Sequence, residues 1–317
     1  MLISLIVPIY NEHSGLAYFW QNLESSVASC DVEFEAILVD DGSTDSTWEV
    51  IAALSSNSQI PIKAIRLSRN FGKEAAILAG LRCAVGQASI VMDADLQHPP
   101  PLISQMIDIW DNGNVKVVEA VKRKRQNESH LRRLGARLYY QTFSLSSGMN
   151  MDGASDFKLL DRCVIDQYIS LPEVGRFFRG LTTWLGFDSV AIEFEPPART
   201  TGQSHWSVGH LMSLARSTII SFSSVPLRIV TWLGASGVLF SIGLTLQTLW
   251  YQWQGYAEAG FPTVILLILA MGSMILLGLG LIGEYVGEIY REVKRRPAYV
   301  IAQTLSPSEN TKQTDSE

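Results

Sequence analysis

The amino-acid sequence predicts an α/β fold, with a mainly parallel sheet and helices on both faces, followed by two membrane-spanning helices. Up to about residue 125, short apolar runs rich in β-forming residues alternate with helical patterns. Alternation of this kind implies βαβ crossovers and therefore parallel strands. Nearer the C-terminus, two stretches carry no charged residue, and each exceeds the roughly 20 residues that cross a bilayer as a helix.

Predicted strands and one clear helix organise the first part of the chain. The strands are expected at Ile3–Ile9, Phe34–Val39, Ile62–Leu67, Ala88–Met92, Val115–Val121 and Val190–Glu195. Between the first two strands, apolar residues recur at helical spacing, at Leu16, Phe19, Trp20, Leu23 and Val27. Folds of this class bind ligands beyond the carboxyl ends of their parallel strands, so the polar groups that follow these strands are the candidates for a site.

The two uncharged stretches, Ile229–Trp250 and Phe261–Gly283, are predicted to span a membrane. Both are apolar around the whole helical circumference; buried helices of a soluble domain are the alternative interpretation. Basic residues flank the pair, whereas the single charged residue of the connecting loop is Glu258. The positive-inside rule therefore places both flanks and the N-terminal domain in the cytoplasm. The flanking basic residues are Arg216, Arg228, Arg291, Lys294, Arg295 and Arg296.

Bulk composition and two further segments narrow the class of protein. The formal net charge is -6, so the chain lacks the basic excess that wide contact with nucleic acid requires. The three cysteines are scattered without metal-ligand spacing, which argues against a disulfide framework or a zinc site. Ser207–Phe222 has an apolar helical face that suits either an interfacial or a core helix, and the polar tail Gln303–Glu317 is expected to be disordered.

Asp93, Asp95 and Gln97 directly follow the predicted strand Ala88–Met92. In a strand-like stretch all three side chains point the same way and can converge on one cation. Carboxylate and amide oxygens suit Mg²⁺ or Mn²⁺ held together with substrate phosphates. A surface turn with incidental acidic residues is the alternative, and His98 is either a further ligand or a polar residue at a helix entry.

A second acidic group, Asp40–Asp45, follows the strand Phe34–Val39. Carboxylates at this position could accept hydrogen bonds from a nucleobase or from ribose hydroxyls, although acidic residues are also common as helix caps. The chain has neither a Gly-x-Gly-x-x-Gly motif after its first strand nor a Walker lysine motif. Dinucleotide-binding and phosphoryl-transfer enzymes are therefore disfavoured.

Four motifs, in this order and spacing, resemble those of the GT-A glycosyltransferases of family 2. They are Val7–Glu12 (VPIYNE), Asp40–Asp45 (DDGSTD), Asn70–Lys73 (NFGK) and Asp93–Pro100 (DADLQHPP). Within the family the chain is similar to the dolichol-phosphate mannose synthase branch, and its two C-terminal spans resemble those of the bactoprenol glucosyltransferases most closely. The similarity covers most of the chain, up to roughly residue 300.

The resemblance implies a GT-A nucleotide-sugar-binding fold and assigns roles to individual residues. Those implied to hold the nucleotide sugar are Pro8, Tyr10, Glu12, Asp40 and Asp93. Asp95 and Gln97 would bind Mg²⁺ or Mn²⁺, and Asp95 would act in catalysis because a cation there neutralises the departing diphosphate. Asp156 lies where the family's proposed base lies, so it is expected to act as base or to position the attacking oxygen, unless it only caps a turn or helix.

An anionic acceptor beside an anionic donor requires cationic side chains, because two phosphates otherwise repel each other. The candidates for the acceptor phosphate are Lys122, Arg123, Arg133 and Arg199, with Arg179 as a further cation. The loop Arg199–Ser207 could close over the donor as a lid.

The expected function is inverting transfer of a hexose, with glucose from UDP-glucose as the favoured donor, to polyprenyl (undecaprenyl) phosphate. Another donor sugar (mannose, galactose or an aminosugar), a processive polysaccharide synthase and an inactive membrane partner are the alternatives. The processive synthase is disfavoured because the sequence lacks a Gln-x-x-Arg-Trp motif. Intact Asp95 and Gln97 argue against an inactive partner.

The corresponding domains are a cytoplasmic catalytic domain over 1–205, an interfacial helix over 206–226, two transmembrane helices over 227–290 and a partly disordered cytoplasmic tail over 291–317. The chain would then be a multi-pass protein of the cell membrane with both termini in the cytoplasm. Its expected partners are the nucleotide sugar, the lipid phosphate and the bilayer, and not nucleic acid. Closely spaced glycines from Gly278 to Gly287 would allow tight helix packing, which leaves a homo-oligomer open.

Overall fold

The structure, a computed structural model, describes residues 1–95, 97–113, 115–122, 155–195, 225–254 and 261–306. The described residues form two compact units. Those up to 195 and from 297 onward belong to the first unit, and those between 225 and 296 belong to the second.

The first unit is an α/β domain whose elements alternate along the chain. Its strands are β1 (Leu2–Ile9), β2 (Glu33–Asp40), β3 (Ile62–Leu67), β4 (Ala88–Val91), β5 (Val117–Lys122), β6 (Lys158–Asp161), β7 (Ser189–Phe194) and β8 (Ile301–Leu305). Its helices are α1 (Leu16–Val27), α2 (Thr47–Asn57), α3 (Lys73–Cys83), α4 (Leu102–Asn112), α5 (Arg162–Ser170) and α6 (Phe178–Trp184). Every strand predicted from the sequence is confirmed, with ends that differ by at most 2 residues.

The strands form one sheet in the order β7-β5-β6-β4-β1-β2-β3-β8. Parallel pairing joins β4, β1, β2 and β3 and also joins β5 to β7, whereas β6 and β8 pair antiparallel with their neighbours. The sheet is thus mainly parallel, as expected, but β6 and β8 are additions that the sequence did not predict. Because β6 runs backwards between β4 and β5, the residues just before it arrive at the edge where β4 and β5 end.

Helices cover both faces of the sheet. On one face, Leu5 and Val7 of β1 share an apolar core with residues of α1, α2 and α4. On the other face α3 approaches β1 closely, since a Cβ added to Gly80 would lie 2.4 Å from Cγ2 of Ile6. The predicted apolar face of α1 is confirmed, and its buried residues are Leu16, Phe19, Trp20, Leu23 and Val27.

The chain returns to the first unit after its last helix. There β8 pairs with the edge strand β3, and the backbone N–H of Ser68 donates to the carbonyl of Val300 over 2.9 Å. Arg82 also lies over the ring of Tyr299, 5.7 Å from its centroid. The expectation of a disordered tail is wrong for residues 303–305, because β8 satisfies backbone groups at the edge of β3.

The second unit contains the two long apolar helices α7 (Val225–Trp253) and α8 (Phe261–Val293). Each holds a stretch that is long and apolar enough to cross a membrane, Trp232–Tyr251 and Ala270–Val293. The buried share of these stretches is 0% and 6%, which is unlike the core helices of a soluble domain. The interfacial helix predicted at Ser207–Phe222 lies outside the described residues.

Candidate active site

The loops after β1, β2, β3 and β4 meet where these parallel strands end, and we call this edge the rim. Asn11 ties the first two loops together: its backbone N–H donates to Oγ of Ser43, and its Oδ1 accepts from the backbone N–H of Thr44, each over 2.9 Å. Asn11 has a φ of 53°, a left-handed conformation that Asn tolerates better than most residues. The rim is therefore a connected structure rather than a set of independent turns.

Asp41 joins the loop after β2 to the loop after β3. Its buried carboxylate accepts from the backbone N–H groups of Phe71 (2.8 Å) and Gly72 (2.9 Å). Burial raises the pKa of Asp41 above its usual value, although both N–H groups favour the charged form. Gly42 allows the close approach, because its φ is +68° and an added Cβ would lie 2.4 Å from the backbone carbon of Arg69.

Asp40, predicted to hold the nucleotide, is fully buried in this structure. Its Oδ1 accepts from the backbone N–H of Ser43 over 2.8 Å, and its Oδ2 lies 3.2 Å from Nε of Arg66. The Arg66 guanidinium also lies over the ring of Trp48, 5.7 Å from the centroid. In this structure Asp40 therefore stabilises the conformation of the loop after β2.

Three of the other predicted nucleotide residues are at least partly accessible. Tyr10 is 42% exposed at the end of β1, and Glu12 and Pro8 are half-buried. Burial raises the pKa of Glu12, and the carboxylate of Asp95 raises it further. Glu12 therefore lies among the acidic groups of the rim, where a cation or a hydrogen-bond donor would stabilise its charged form.

The metal-binding prediction rested on strand-like alternation, and that reason is wrong. β4 ends at Val91, and a turn follows in which Asp95 is exposed and accepts from the backbone N–H of Gln97 over 3.0 Å. The amide nitrogen of Gln97 is buried and makes no hydrogen bond within the described residues. Asp95 and Gln97 are thus brought together by the turn, while Asp93 points to different partners.

His98 is buried under the turn and fixes its shape. Its Nδ1 accepts from the backbone N–H of Asp93 over 3.0 Å, and its ring stacks on Phe157 with centroids 5.1 Å apart. These contacts favour a positioning role over that of a metal ligand. The three prolines after it lie directly before α4, with Pro101 at the N-cap.

A chain of alternating charges connects four distant segments at the rim. Nζ of Lys73 lies 2.5 Å from Oδ1 of Asp93 and 2.5 Å from Oδ2 of Asp156. Arg179 also pairs with Asp156. Its Nε lies 2.6 Å from Oδ1 and its Nη2 lies 2.8 Å from Oδ2. Burial alone would raise the pKa of Asp156, but the two cations outweigh it and hold that pKa well below its usual range.

Helix α6, which carries Arg179, is anchored at two points. Glu74 accepts from the backbone N–H of Phe178 over 2.7 Å. Lys158 is fully buried, and its Nζ donates to Glu119 (2.8 Å) and Thr182 (3.0 Å). Burial raises the pKa of Glu74 to about 7, and the negative charge of Asp156 adds to the increase.

Most of the residues predicted to bind the acceptor phosphate lie outside the described residues. Lys122 ends β5 on the rim side of the sheet, but its side chain lies outside what the structure describes, and so do Arg123, Arg133 and Arg199. Sequence reasoning gave no role to Lys73, Glu74 or Lys158. Lys73 could have been suspected because it closes the NFGK motif, whereas nothing local to Lys158 marked it as buried.

The donor atoms at the rim fit a divalent cation that arrives with a diphosphate. Within the described residues, no three His, Cys, Asp or Glu side chains are grouped closely enough to hold a metal by themselves. Asp95 is exposed, and Gln97 lies beside it in the turn, with a side-chain amide nitrogen that makes no hydrogen bond within the described residues. A carboxylate and an amide oxygen are hard ligands, and phosphate oxygens commonly complete such a site for Mg²⁺ or Mn²⁺.

The fold is that of a GT-A glycosyltransferase. In a glucosyl-3-phosphoglycerate synthase from Mycobacterium tuberculosis, crystallised with Mn²⁺, UDP and phosphoglyceric acid, the same fold recurs with a TM-score of 0.51 at 20% identity, over 69% of this chain and 76% of that one. The chain belongs to glycosyl transferase family 2, whose family model matches residues 4–166.

Full-length relatives extend the similarity beyond the catalytic unit. The protein CsbB of Bacillus subtilis (strain 168) is 36% identical over 316 residues, which cover 99% of this chain and 95% of the relative. The SfII prophage-derived bactoprenol glucosyl transferase of Shigella flexneri is 34% identical over 306 residues, covering 95% and 97%. Both alignments are long enough to include the two apolar helices.

Proposed function

We propose that this glycosyltransferase moves a hexose from a nucleotide sugar, with UDP-glucose as the favoured donor, to a polyprenyl phosphate such as undecaprenyl phosphate. The observation that carries the proposal is similarity over 95% of the chain to a relative named bactoprenol glucosyl transferase. The aligned region includes both the charged rim and the helices α7 and α8. The chain would therefore combine a transfer site with a membrane anchor close to a lipid acceptor. The helices α7 and α8 would hold the protein at the membrane.

The acceptor chemistry explains why the site needs no strong base. A phosphate monoester has a second pKa of about 6, so its attacking oxygen is already deprotonated at neutral pH. That oxygen would bond to the anomeric carbon while the bond to the donor diphosphate breaks, which inverts the anomeric centre and releases the nucleoside diphosphate. Because the pKa of Asp156 is held low, its carboxylate would accept a proton poorly. Asp156 therefore serves to position charge rather than to act as a general base.

Asp95 and Gln97 would hold the divalent cation, Mg²⁺ or Mn²⁺, through oxygen ligands. The chemistry that such a cation supplies is neutralisation of the charge on the departing diphosphate. Glu12 is close enough to Asp95 of this turn to be affected by its charge, and Glu12 and the exposed Tyr10 would contact the nucleoside. The acceptor phosphate would be received by Arg179 and by the predicted cations Lys122, Arg123, Arg133 and Arg199.

The path of the chain supports a cytoplasmic catalytic unit with both flanks of the helix pair on one side. The chain leaves the sheet after residue 195 and rejoins it at β8, with α7 and α8 between. Two crossings return a chain to the side on which it started. The basic residues that flank the two apolar stretches favour the cytoplasm as that side, by the positive-inside rule.

A transfer assay with purified full-length protein in detergent tests the proposal. Radiolabelled UDP-glucose, UDP-galactose, GDP-mannose and UDP-N-acetylglucosamine are each offered with undecaprenyl phosphate, with and without EDTA. Label from UDP-glucose should enter the lipid phase as a single-sugar product, EDTA should abolish transfer, and the product should be the β anomer by NMR. Label in a polymer would instead support a processive synthase, and no labelled lipid with any donor would refute the proposal.

A further inference from the structure

We propose that Lys73 is a positioning residue that decides which rim carboxylate is free to bind the divalent cation. By pairing with Asp93 and Asp156 at once, it withholds Asp93 and leaves Asp95 for the cation. This inference rests on the proposed cation-dependent transfer. It concerns a residue to which the proposed function gives no contact with the donor sugar or the cation.

The geometry gives Lys73 two anionic partners from separate elements. Asp93 follows β4, and Asp156 precedes β6, and the ammonium lies 2.5 Å from an oxygen of each. The second oxygen of Asp93 lies 3.8 Å from Nε2 of His98, so both of its oxygens face side chains of this protein. By contrast, Asp95 is exposed, and its hydrogen bond within the described residues comes from Gln97.

Lys73 is held in place by the loop before it. It is the first residue of α3, directly after Phe71 and Gly72, whose N–H groups are bound by Asp41. A cation at a helix N-terminus is unfavourable because it meets the positive end of the helix dipole. Lysine at this position is therefore poorly explained by helix stability, and the two carboxylates supply the reason for it.

The charges predict opposite effects on cation binding and on turnover. Without the ammonium, Asp93 becomes an additional anionic ligand, and the repulsion between a fixed cation and the incoming divalent ion is lost. A cation should then bind more tightly but at the wrong carboxylates. Asp156 would also lose one of its two partners, so the attacking oxygen would be held less accurately.

The test measures Mn²⁺ binding by electron paramagnetic resonance, with full-length protein in detergent and saturating UDP, alongside transfer kinetics. For Lys73→Met we expect the Kd for Mn²⁺ to fall about threefold to tenfold. We expect kcat to fall about 100-fold with a change of less than about threefold in the donor KM. The matched control is Lys116→Met, which breaks a lysine–aspartate ion pair at the opposite end of β5 and should change neither quantity.

A double variant keeps the test decisive if Lys73→Met does not fold. Lys73→Met combined with Asp93→Asn removes one positive and one negative charge, so the Kd for Mn²⁺ should stay within about twofold of wild type while kcat remains low. Equal or weaker Mn²⁺ binding in Lys73→Met, or loss of Mn²⁺ binding in the double variant, would overturn the inference alone. Absence of Mn²⁺ binding in the wild-type protein would instead remove the cation from the proposed function, and the inference with it.

Discussion

Asp156 and Arg179 form a two-point ion pair at the rim, with the two nitrogen–oxygen distances at 2.6 and 2.8 Å. The contact joins a residue that precedes β6 to the second residue of α6. A guanidinium binds a phosphate with the same planar geometry that it uses for a carboxylate. The proposed function assigns the acceptor phosphate to Arg179, and Asp156 would hold the guanidinium in position for it.

Replacing Arg179 by lysine should slow transfer, because an ammonium keeps the charge but cannot bind two oxygens in one plane. We expect a fall of about 10-fold to 100-fold in kcat/KM for the lipid phosphate, with the donor KM nearly unchanged. Steady-state kinetics with each substrate varied in turn provide the measurement. A rise confined to the donor KM would contradict this prediction and indicate that Arg179 binds the donor instead of the lipid phosphate.

Asp156→Asn should lower kcat without changing the acid limb of the pH profile. If Asp156 only positions charge, that limb follows the acceptor phosphate, with its second pKa of about 6, in wild type and variant alike. The measurement is kcat/KM for the lipid phosphate between pH 5 and pH 8 for both proteins. Loss of the limb in the variant would restore Asp156 to the role of general base.

Gly42→Ala should destabilise the first unit, because Gly42 has a positive φ and an added Cβ would lie 2.4 Å from the backbone of Arg69. The expected loss in free energy of unfolding is at least about 2 kcal/mol. Gly15→Ala is the matched control, since its nearest added contact is 3.9 Å away, and it should cost no more than about 0.5 kcal/mol. Chemical unfolding of both variants compares them, and equal losses would show that the loop after β2 adapts.

Glu74 should make stability depend on pH. Its folded pKa of about 7 lies above its ordinary value of 4.5, so the folded state binds the proton more tightly than the unfolded state does. Its contribution is present below pH 4.5 and declines as the pH rises through 7. In Glu74→Gln, the change in free energy of unfolding between low and high pH should be smaller than in wild type by about 1 kcal/mol, a value reduced for screening by solvent.

Thermal unfolding at pH 5 and pH 8 measures this difference. Relative to wild type, Glu74→Gln should be comparatively more stable at the higher pH. The same difference between the two proteins at both pH values would show that the carboxyl is not perturbed.

Most elements of the fold could be predicted from the periodic spacing of apolar residues. The remaining strands form because they pair with distant strands, which local sequence does not reveal. The parallel strands, α1 and the two apolar helices were predictable because their apolar residues follow one clear period. β6 was not predictable, since it has only 4 residues and begins with a buried lysine, Lys158, that interrupts the apolar pattern. β8 follows a basic segment and pairs with β3 from far along the chain, so no local signal distinguishes it from a tail.

The site was predicted in part for the same reason. Residues that follow predicted strands could be placed at one edge, which located Tyr10, Glu12 and Asp95 correctly at the rim. The meeting of Asp93 and Asp156 through Lys73 depends on the reversed direction of β6, which no motif encodes. Asp95 and Gln97 are adjacent because of a turn, and the strand alternation expected there ends at Val91.

Transfer of labelled glucose to undecaprenyl phosphate by wild type and by Asp95→Asn, both as full-length protein in the presence of Mn²⁺, tests the central claim most directly. Loss of the carboxylate proposed to bind the cation should lower kcat at least about 100-fold. The variant should keep the thermal unfolding profile of wild type, because Asp95 is exposed. Equal rates of lipid labelling by the two proteins would contradict a cation held at this rim.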